Sequence, residues 1–364
     1  MKIIHTLELI KRIPPSTYSY LCNNLKSLST VSRRVKRTNY YSRKGITQIE
    51  LKIMRYNSCG VTCENYYLTL RCNLSIIMGD SKYLLLDMDK YSSNEIIKQM
   101  NKRLFEINEF RHVRLHLSSI ESFKVERADI AIDIIHKFPE IIVYLCNMSF
   151  PYHHCNMIRK PIKKEREILN KESCCFANQL RGFNIYSKWR AIINCNKNVK
   201  ISYEERKQLK QTVRIEIQIM KKHILNSKLK FPDQRRINPF LDKNFCHDYL
   251  KKEILPVFGL QKYVSRSKAI KIIQESLYSD YIKEVMISII DMILEFGGMY
   301  ELEKAIEDKN TYTPSNYGNL RTFRECWLKK IRSLGIQPVV IPDSFEIDEI
   351  PSIYALLTSE KGSN

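Results

Sequence analysis

Glycine and proline are scarce in this sequence, and the motifs of several common protein classes are missing. Ten glycines and 12 prolines in 364 residues indicate that long flexible linkers are absent. No glycine-rich strand–turn–helix motif for phosphate binding occurs, which disfavours a parallel α/β fold. The longest apolar stretch, residues 285–296, is short and contains Asp291. The sequence therefore predicts that no segment spans a membrane.

The cysteines and the first residues of the chain disfavour two further classes. The 11 cysteines include no C-x2-C pair of the kind that zinc ribbons and zinc fingers use. Residues 1–13, MKIIHTLELIKRI, lack the uninterrupted apolar core of a signal peptide. An odd number of cysteines without an export signal is typical of free thiols in a reducing compartment. We therefore expect a cytoplasmic protein without a disulfide framework.

Acidic residues are few compared with basic ones. The chain has 39 Asp and Glu against 60 Lys and Arg, a net charge of +21, which is more than solubility requires. This excess predicts a polyanionic partner, with nucleic acid favoured over an anionic membrane. Residues 151–230 hold 19 basic against six acidic residues, whereas residues 341–364 form an acidic tail with five acids and one Lys.

The spacing of apolar residues changes along the chain. In the first 225 or so residues, strand-like segments stand at 45–54, 66–77 and 84–88, and residues 94–109 have helical spacing after a Ser93 or Asn94 cap. From about residue 245 the pattern is helical, at 265–277, 281–296, 299–307 and 319–334. We therefore predict an α+β fold, an antiparallel sheet with helices on one face, plus a C-terminal helical domain. The predicted boundaries are residues 1–235, residues 236–340 and the acidic tail, residues 341–364.

One strand-like segment carries acidic residues where an ordinary strand has few. In residues 124–134, KVERADIAIDI, alternate positions are apolar, and Arg127, Asp129, Ala131 and Asp133 point to the other side. Asp is depleted in strands, so two on one face need a reason. Carboxylates on either side of a small residue suit a divalent cation with oxygen ligands.

Two further segments add other reactive groups to this set. Residues 211–220, QTVRIEIQIM, place Arg214 and Glu216 opposite an apolar face. Residues 183–188, FNIYSK, place Tyr186 and Lys188 on one side. Ion pairs across an exposed antiparallel sheet are the ordinary explanation of such residues. Taken together, however, the three segments favour phosphoryl transfer to a tyrosine hydroxyl, with a metal and basic groups neutralising charge.

The order of these motifs resembles the gene II/gene X family of phage and plasmid replication proteins, relatives of the filamentous-phage gene II nickase. The motifs are V-x-R-x-D-x-A-x-D at residues 125–133, I-Y-x-K at 185–188 and V-R-x-E at 213–216. The segment LGIQP at residues 334–338 looks like the ending common in that family. The resemblance spans most of the chain, and only loosely its first hundred residues.

The resemblance implies a site-specific nickase that starts rolling-circle DNA replication in the cytoplasm of a bacterial host. In such enzymes a tyrosine attacks one strand, stays linked to the 5′-phosphate and frees a 3′-hydroxyl that primes synthesis. Residues 1–235 would then be the nicking domain. Tyr186 matches the family's tyrosine and Lys188 its lysine, while Asp129, Asp133 and Glu216 match the acidic positions and would hold Mg2+ or Mn2+.

The resemblance also implies partners. They are single- and double-stranded DNA of a replication origin, with host helicase and polymerase acting afterwards, and no membrane. The arginines expected to contact DNA are Arg127, Arg181, Arg190 and Arg214 around the strands, and Arg321 and Arg324 in the C-terminal region.

The sequence departs from the family's pattern at two points. Ser187 stands where the family usually has Asp, and no His-hydrophobic-His pair, the metal motif of many related nickases, occurs. These departures favour carboxylates over histidines as metal ligands. They also leave other tyrosines open as the nucleophile, since the chain has 21 and Tyr144, Tyr152 and Tyr203 are near Tyr186 in sequence.

The C-terminal region has the proportions of a helix-turn-helix. Residues 299–307 and 319–334 flank a turn with Thr313-Pro314-Ser315, and the second helix presents a basic face. Such a helix could read base edges through residues near its start. An ordinary helical hairpin with a solvated basic face is the alternative.

Two other functions fit parts of the sequence. A non-enzymatic, sequence-specific DNA-binding initiator or repressor would need the positive charge and the helices, but not the acidic strand face. A polymerase or primase would use two Asp on a strand beside a basic groove and would have no need of Tyr186.

Overall fold

The computed structural model describes residues 2–152, 157–159, 173–195, 201–221, 224, 235–308 and 318–358. The strands are β1 (Lys2–Ile13), β2 (Ser29–Ser32), β3 (Val35–Thr38), β4 (Ile46–Ser58), β5 (Val61–Asn73), β6 (Leu86–Asp87), β7 (Lys124–Ile135), β8 (Ile158–Arg159), β9 (Ser173–Ala177), β10 (Arg181–Ser187), β11 (Thr212–Met220), β12 (Tyr263–Val264) and β13 (Glu349–Ile350).

The helices up to residue 210 are α1 (Pro15–Asn24), α2 (Leu74–Met78), α3 (Ser93–Phe105), α4 (Asn108–His112), α5 (Arg114–Leu117), α6 (Pro139–Ser149), α7 (Lys188–Cys195) and α8 (Tyr203–Lys210). The later helices are α9 (Lys243–Phe258), α10 (Arg266–Gln274), α11 (Asp280–Glu295), α12 (Met299–Glu307), α13 (Leu320–Thr322), α14 (Lys329–Ser333) and α15 (Ile353–Thr358). A π-helical stretch, Phe323–Leu328, lies between α13 and α14. The predicted α+β class with a large antiparallel sheet and a helical C-terminal region is confirmed. In the part of the chain that the structure describes, no helix combines the length and the apolar character needed to cross a bilayer.

The chain forms two compact units, and each is assembled from three separate stretches. The first unit contains residues 1–132, 179–181 and 216–250, and the second contains residues 133–178, 182–215 and 251–364. The sequence-based domain boundaries, at residues 235 and 340, stay a prediction. Strands β7, β10 and β11 each contribute residues to both units.

The first unit is built on a sheet with the strand order β2-β3-β4-β5-β1-β7-β11, and β6 also pairs with β1. The long N-terminal strand β1, which was not predicted from the sequence, is central. It pairs antiparallel with β5 and β7, so that Glu8 stands opposite both Arg71 and Arg127. Leu7 and Leu9 point to the other face and are fully buried.

A β-bulge interrupts the pairing of β1 with β7. Glu8 is opposite Arg127, but the next residue of β1, Leu9, is opposite Val125. Glu126 is therefore an extra residue in β7. The bulge lets Lys124 and Arg127 share one face of the sheet while Val125 enters the core.

Helix α3 has a defined beginning and a buried face. The Ser92 side chain accepts a hydrogen bond from the Glu95 backbone, and the Glu95 carboxylate accepts one from the Ser92 backbone, which makes a capping box. Ile96, Met100 and Leu104 are buried on its inner face. The predicted helix is confirmed, although it begins one residue before the predicted start and ends at Phe105 rather than near residue 109.

In the second unit the strand order is β7-β11-β10-β9-β8. Its core contains Phe150, whose ring stacks on Phe176 at a centroid distance of 3.7 Å and meets Phe183 edge-on. Helix α12 contacts both α6 and α11. The short strands β12 and β13 pair antiparallel through Tyr263 and Ile350.

Two predicted elements differ from the structure at their ends. The predicted strand at residues 66–77 ends at Asn73, whose side chain accepts a hydrogen bond from the Ile76 backbone and starts α2. Lys188, predicted to lie on a strand with Tyr186, is instead the first residue of α7. The predicted turn Thr313-Pro314-Ser315 lies outside the described residues.

Candidate functional site

A row of charged residues crosses the sheet of the first unit. Glu8 of β1 stands between Arg71 of β5 and Arg127 of β7. Two residues further along the same face, Thr6 is opposite Asp129. We refer to this side of the sheet, which carries Thr6, Glu8, Arg71, Arg127 and Asp129, as the polar face.

Asp129 is the most deeply buried carboxylate of this set, with 3% of its surface exposed. Both of its oxygens accept hydrogen bonds from Arg127, at 2.6 Å from Nε and 2.7 Å from Nη2. Burial, and next the negative charge of Glu216, raises the pKa of Asp129 to about 7, although Arg127 and Arg71 act in the opposite direction. Burial therefore favours the protonated form of Asp129 more than that of an ordinary Asp.

Glu216 brings a second buried carboxylate to the polar face. It lies on β11, the neighbour of β7, and its Oε1 accepts a hydrogen bond from Gln218 Nε2 at 2.9 Å. Glu8 contributes a third carboxylate, which accepts a hydrogen bond from Arg71 Nη2 at 2.8 Å. These three carboxylates and the two guanidinium groups together carry more negative than positive charge, in contrast to the chain as a whole.

A divalent cation was expected at Asp129, Asp133 and Glu216. Within the described residues there is no group of three or more His, Cys, Asp or Glu side chains arranged to hold a metal ion. Glu216 is close enough to Asp129 for its negative charge to raise the pKa of Asp129. The carboxylate oxygens of this buried pair are the type of ligand that Mg2+ and Mn2+ prefer.

Asp133 has a different neighbour. In the second unit its Oδ1 and Oδ2 accept hydrogen bonds from Arg214 Nε and Nη2, at 2.7 and 2.8 Å. Arg214 has no exposed surface. In this structure Arg214, predicted to contact DNA, therefore pairs with Asp133 inside the protein.

Tyr186 and Lys188 lie together in the second unit. Tyr186 is half-buried on β10, where its backbone is opposite Ser173 of β9. Lys188 begins α7 and is buried, with its Nζ 5.8 Å from the centre of the Tyr186 ring. This distance is within the range of a cation–π contact.

The four remaining arginines differ in exposure. Arg181 is half-buried at the start of β10, whereas Arg190 and Arg321 are exposed. Arg324 Nε donates a hydrogen bond at 2.9 Å to Glu303, a carboxylate that is almost fully buried. Arg324 thus stabilises the packing of the C-terminal helices, while Arg190 and Arg321 present their charge to solvent.

The predicted polar strand face is present, but it is more buried than expected. Asp129 and Glu216, expected to hold the metal, and Arg214, expected to contact DNA, are all buried. Glu8 and Arg71 were not among the site residues predicted from the sequence. The alternation of Thr6 and Glu8 with Leu7 and Leu9 in the N-terminal segment was a signal for Glu8.

Comparison with protein-family models, with curated proteins and with solved structures gives no match to this chain.

Proposed function

We propose that this chain is a metal-dependent DNA strand-nicking enzyme that initiates rolling-circle replication. The observation that carries the proposal is the buried Asp129–Glu216 pair in a chain with a net charge of +21. Buried carboxylates that share a site are costly to ionise together, so their presence in a basic protein has a functional explanation in cation binding. The resemblance of the ordered motifs to replication nickases gives the reaction class.

In the proposed reaction the Tyr186 hydroxyl oxygen attacks a DNA phosphorus atom. The bond from phosphorus to the 3′-oxygen breaks, a 5′-phosphotyrosine bond forms, and the proton lost by the tyrosine is balanced by the one gained by the 3′-hydroxyl. Lys188, next to the Tyr186 ring, stabilises negative charge on the phenol oxygen. Asp129 and Glu216 would hold the divalent cation, which polarises phosphate oxygens when bound.

The test is cleavage of single-stranded oligonucleotides, and of supercoiled plasmid carrying the DNA that flanks the gene, with Mg2+ or Mn2+. A covalent protein–DNA adduct on a denaturing gel is the expected result. It should disappear with EDTA, with Asp129→Asn and with Tyr186→Phe. The matched control is Tyr281→Phe, because Tyr281 is an exposed tyrosine of the same unit and is not a candidate nucleophile. An adduct that persists in Tyr186→Phe would contradict the assignment of the nucleophile.

The bidentate arginine contacts favour a second candidate, a non-enzymatic DNA-binding initiator or repressor. Asp129 and Asp133 each use both oxygens to bind an arginine, as purely structural carboxylates do. This function predicts specific binding to the flanking DNA without any adduct. Binding would then be unchanged by Tyr186→Phe.

A further inference from the structure

A cavity of about 420 Å3 lies in the first unit. Its lining includes Arg12, Tyr67, Lys124, Lys221 and Arg235. Arg12 and Glu8 are on the same strand and, being four residues apart, point to the same side. At about 3.3 Å per residue, Arg12 is therefore about 13 Å along β1 from Glu8.

The strand register explains why these side chains meet. Arg12 of β1 is opposite Tyr67 of β5, and Lys124 of β7 is opposite Ile10 of β1. The bulge at Glu126 keeps Lys124 on the side of Ile10 and Arg12. An aromatic ring and two long cationic side chains thus line one end of the polar face.

The cavity has a strong excess of positive charge. Five basic residues line it, against a single acid, Glu126. Glu126 already binds Lys221, at 3.1 Å, and Arg235. Within the described residues, neither Arg12 nor Lys124 has an ion-pair partner. Two cations next to a half-buried tyrosine are therefore available to an anionic ligand.

We infer that this cavity binds one nucleotide of a DNA single strand, with its phosphate on Arg12 and Lys124 and its base against Tyr67. Lys and Arg side chains neutralise the phosphate charge of bound DNA. Aromatic side chains bind single-stranded DNA by stacking on a base, whichever base it is. A volume of this size suits a single nucleotide. The inference deepens the proposed function and rests on it for the biological role of the strand, but its test does not require cleavage.

The experiment measures binding of the full-length chain to a short fluorescent oligothymidylate in EDTA, by fluorescence anisotropy at several salt concentrations. The double variant Arg12→Gln/Lys124→Gln should bind at least about tenfold more weakly, because it loses two charged phosphate contacts. The slope of log K against log salt should also fall by about 1.4, at about 0.7 for each contact with a single strand.

The control variant is Lys98→Gln/Lys252→Gln, which removes the same charge from two exposed lysines outside the cavity. It should bind like the unmodified chain. Equal losses in the two double variants would mean that net charge alone binds DNA and would overturn the inference.

Tyr67 provides a second, uncharged test. Tyr67→Ala should weaken binding by about fivefold or more, the effect of losing one stacked base, and Tyr67→Phe should restore it. If Tyr67→Ala binds the oligonucleotide as tightly as the unmodified chain, the base is not stacked on Tyr67.

Competition shows whether the bound nucleotide belongs to a single strand, to a duplex or to a free mononucleotide. An unlabelled strand should displace the probe, whereas thymidine monophosphate or a duplex of equal length should do so far less effectively. Displacement by the mononucleotide or the duplex at the same concentration would overturn assignment to a single strand. The two proposals can fail separately. If the chain does not nick DNA but its binding to the oligonucleotide still depends on Arg12 and Lys124, the proposed function is wrong and this inference stands.

Discussion

The buried ion pair of Arg214 and Asp133 places a strong energetic constraint on two neighbouring strands. Arg214 has no exposed surface, and both of its hydrogen bonds to Asp133 are shorter than 3 Å. A buried guanidinium that loses its counter-charge retains the cost of desolvation without the compensating attraction. Each residue therefore depends on the other.

We predict that Asp133→Asn lowers the free energy of unfolding by about 3 kcal/mol, since it leaves the Arg214 charge buried. The double variant Asp133→Leu/Arg214→Met should lose less than the single change, because it removes both charges. Urea unfolding without divalent cations measures both values. An Asp133→Asn variant with an unchanged free energy of unfolding would show that the pair contributes little to stability.

The residues of the candidate site could be predicted in part. Alternation in residues 124–134 correctly separated Arg127 and Asp129 from the apolar residues of β7. The alternation could not show that Asp133 binds Arg214. The two residues lie on neighbouring strands that are distant in sequence, and nothing in the local sequence indicates which strands pair. For Glu8 the alternation with Leu7 and Leu9 was a local signal of a strand, but its position between the arginines of β5 and β7 was not visible in the sequence.

At the scale of the element, the capping box of α3 offers a clear test. Ser92→Ala removes the side-chain oxygen that accepts the Glu95 backbone hydrogen bond. The free energy of unfolding should fall by about 1 kcal/mol. Ser92→Asp, which keeps an acceptor at this position, should recover most of the loss. Urea denaturation followed by circular dichroism gives the comparison, and equal stability of all three chains would contradict the role of the cap.

The pairing of β12 with β13 should depend on pH. Glu349 of β13 binds Lys262 and Lys268, at 2.9 and 2.8 Å, and the hydrogen bond from Lys268 is the largest of the effects that lower its pKa to about 2. Because the folded-state pKa is depressed, the stabilisation is complete above the ordinary value of 4.5 and is lost as the pH falls towards 2.

We therefore expect Glu349→Gln to be less stable than the unmodified chain near neutral pH, with the difference closing as the pH falls from about 4.5 to about 2. Thermal unfolding across this range measures the difference. Glu346→Gln is the control, since Glu346 is an exposed acid of the same segment. A difference that stays constant with pH would contradict the ion-pair explanation.

Element ends were harder to predict than element types. The run LTLRCNLSII was predicted as strand throughout, but it turns into α2 at Leu74. Short apolar runs do not distinguish a strand from a buried helix. The deciding interaction, a cap by Asn73, involves a residue that is equally common in turns.

At the scale of the whole molecule, the division into two units follows from sheet pairing rather than from composition. Residues 216–250 belong to the first unit although about 80 residues of the second unit precede them. A change in charge or helical content along the chain reports on local sequence, whereas strand pairing joins distant segments. The α+β class was therefore predictable, and the assembly of each unit from three stretches was not.

The cysteines allow a prediction for the intact protein. The nine described cysteines are free, and burial raises the pKa of the Cys72 thiol to about 12. Thermal unfolding should therefore give the same Tm with and without a thiol reductant. Iodoacetamide should modify the exposed Cys59 and Cys326 well before Cys72. A lower Tm in reductant would reveal a stabilising disulfide and contradict this expectation.

The bulge at Glu126 also has a genetic consequence. Losing one codon within a strand normally turns every following side chain to the opposite face of the sheet. In β7, however, Glu126 is the surplus residue. A gene without this codon would encode a regular strand in which Lys124 and Arg127 still share a face. Here the length of the gene can change by one codon while the order of faces along the strand is kept.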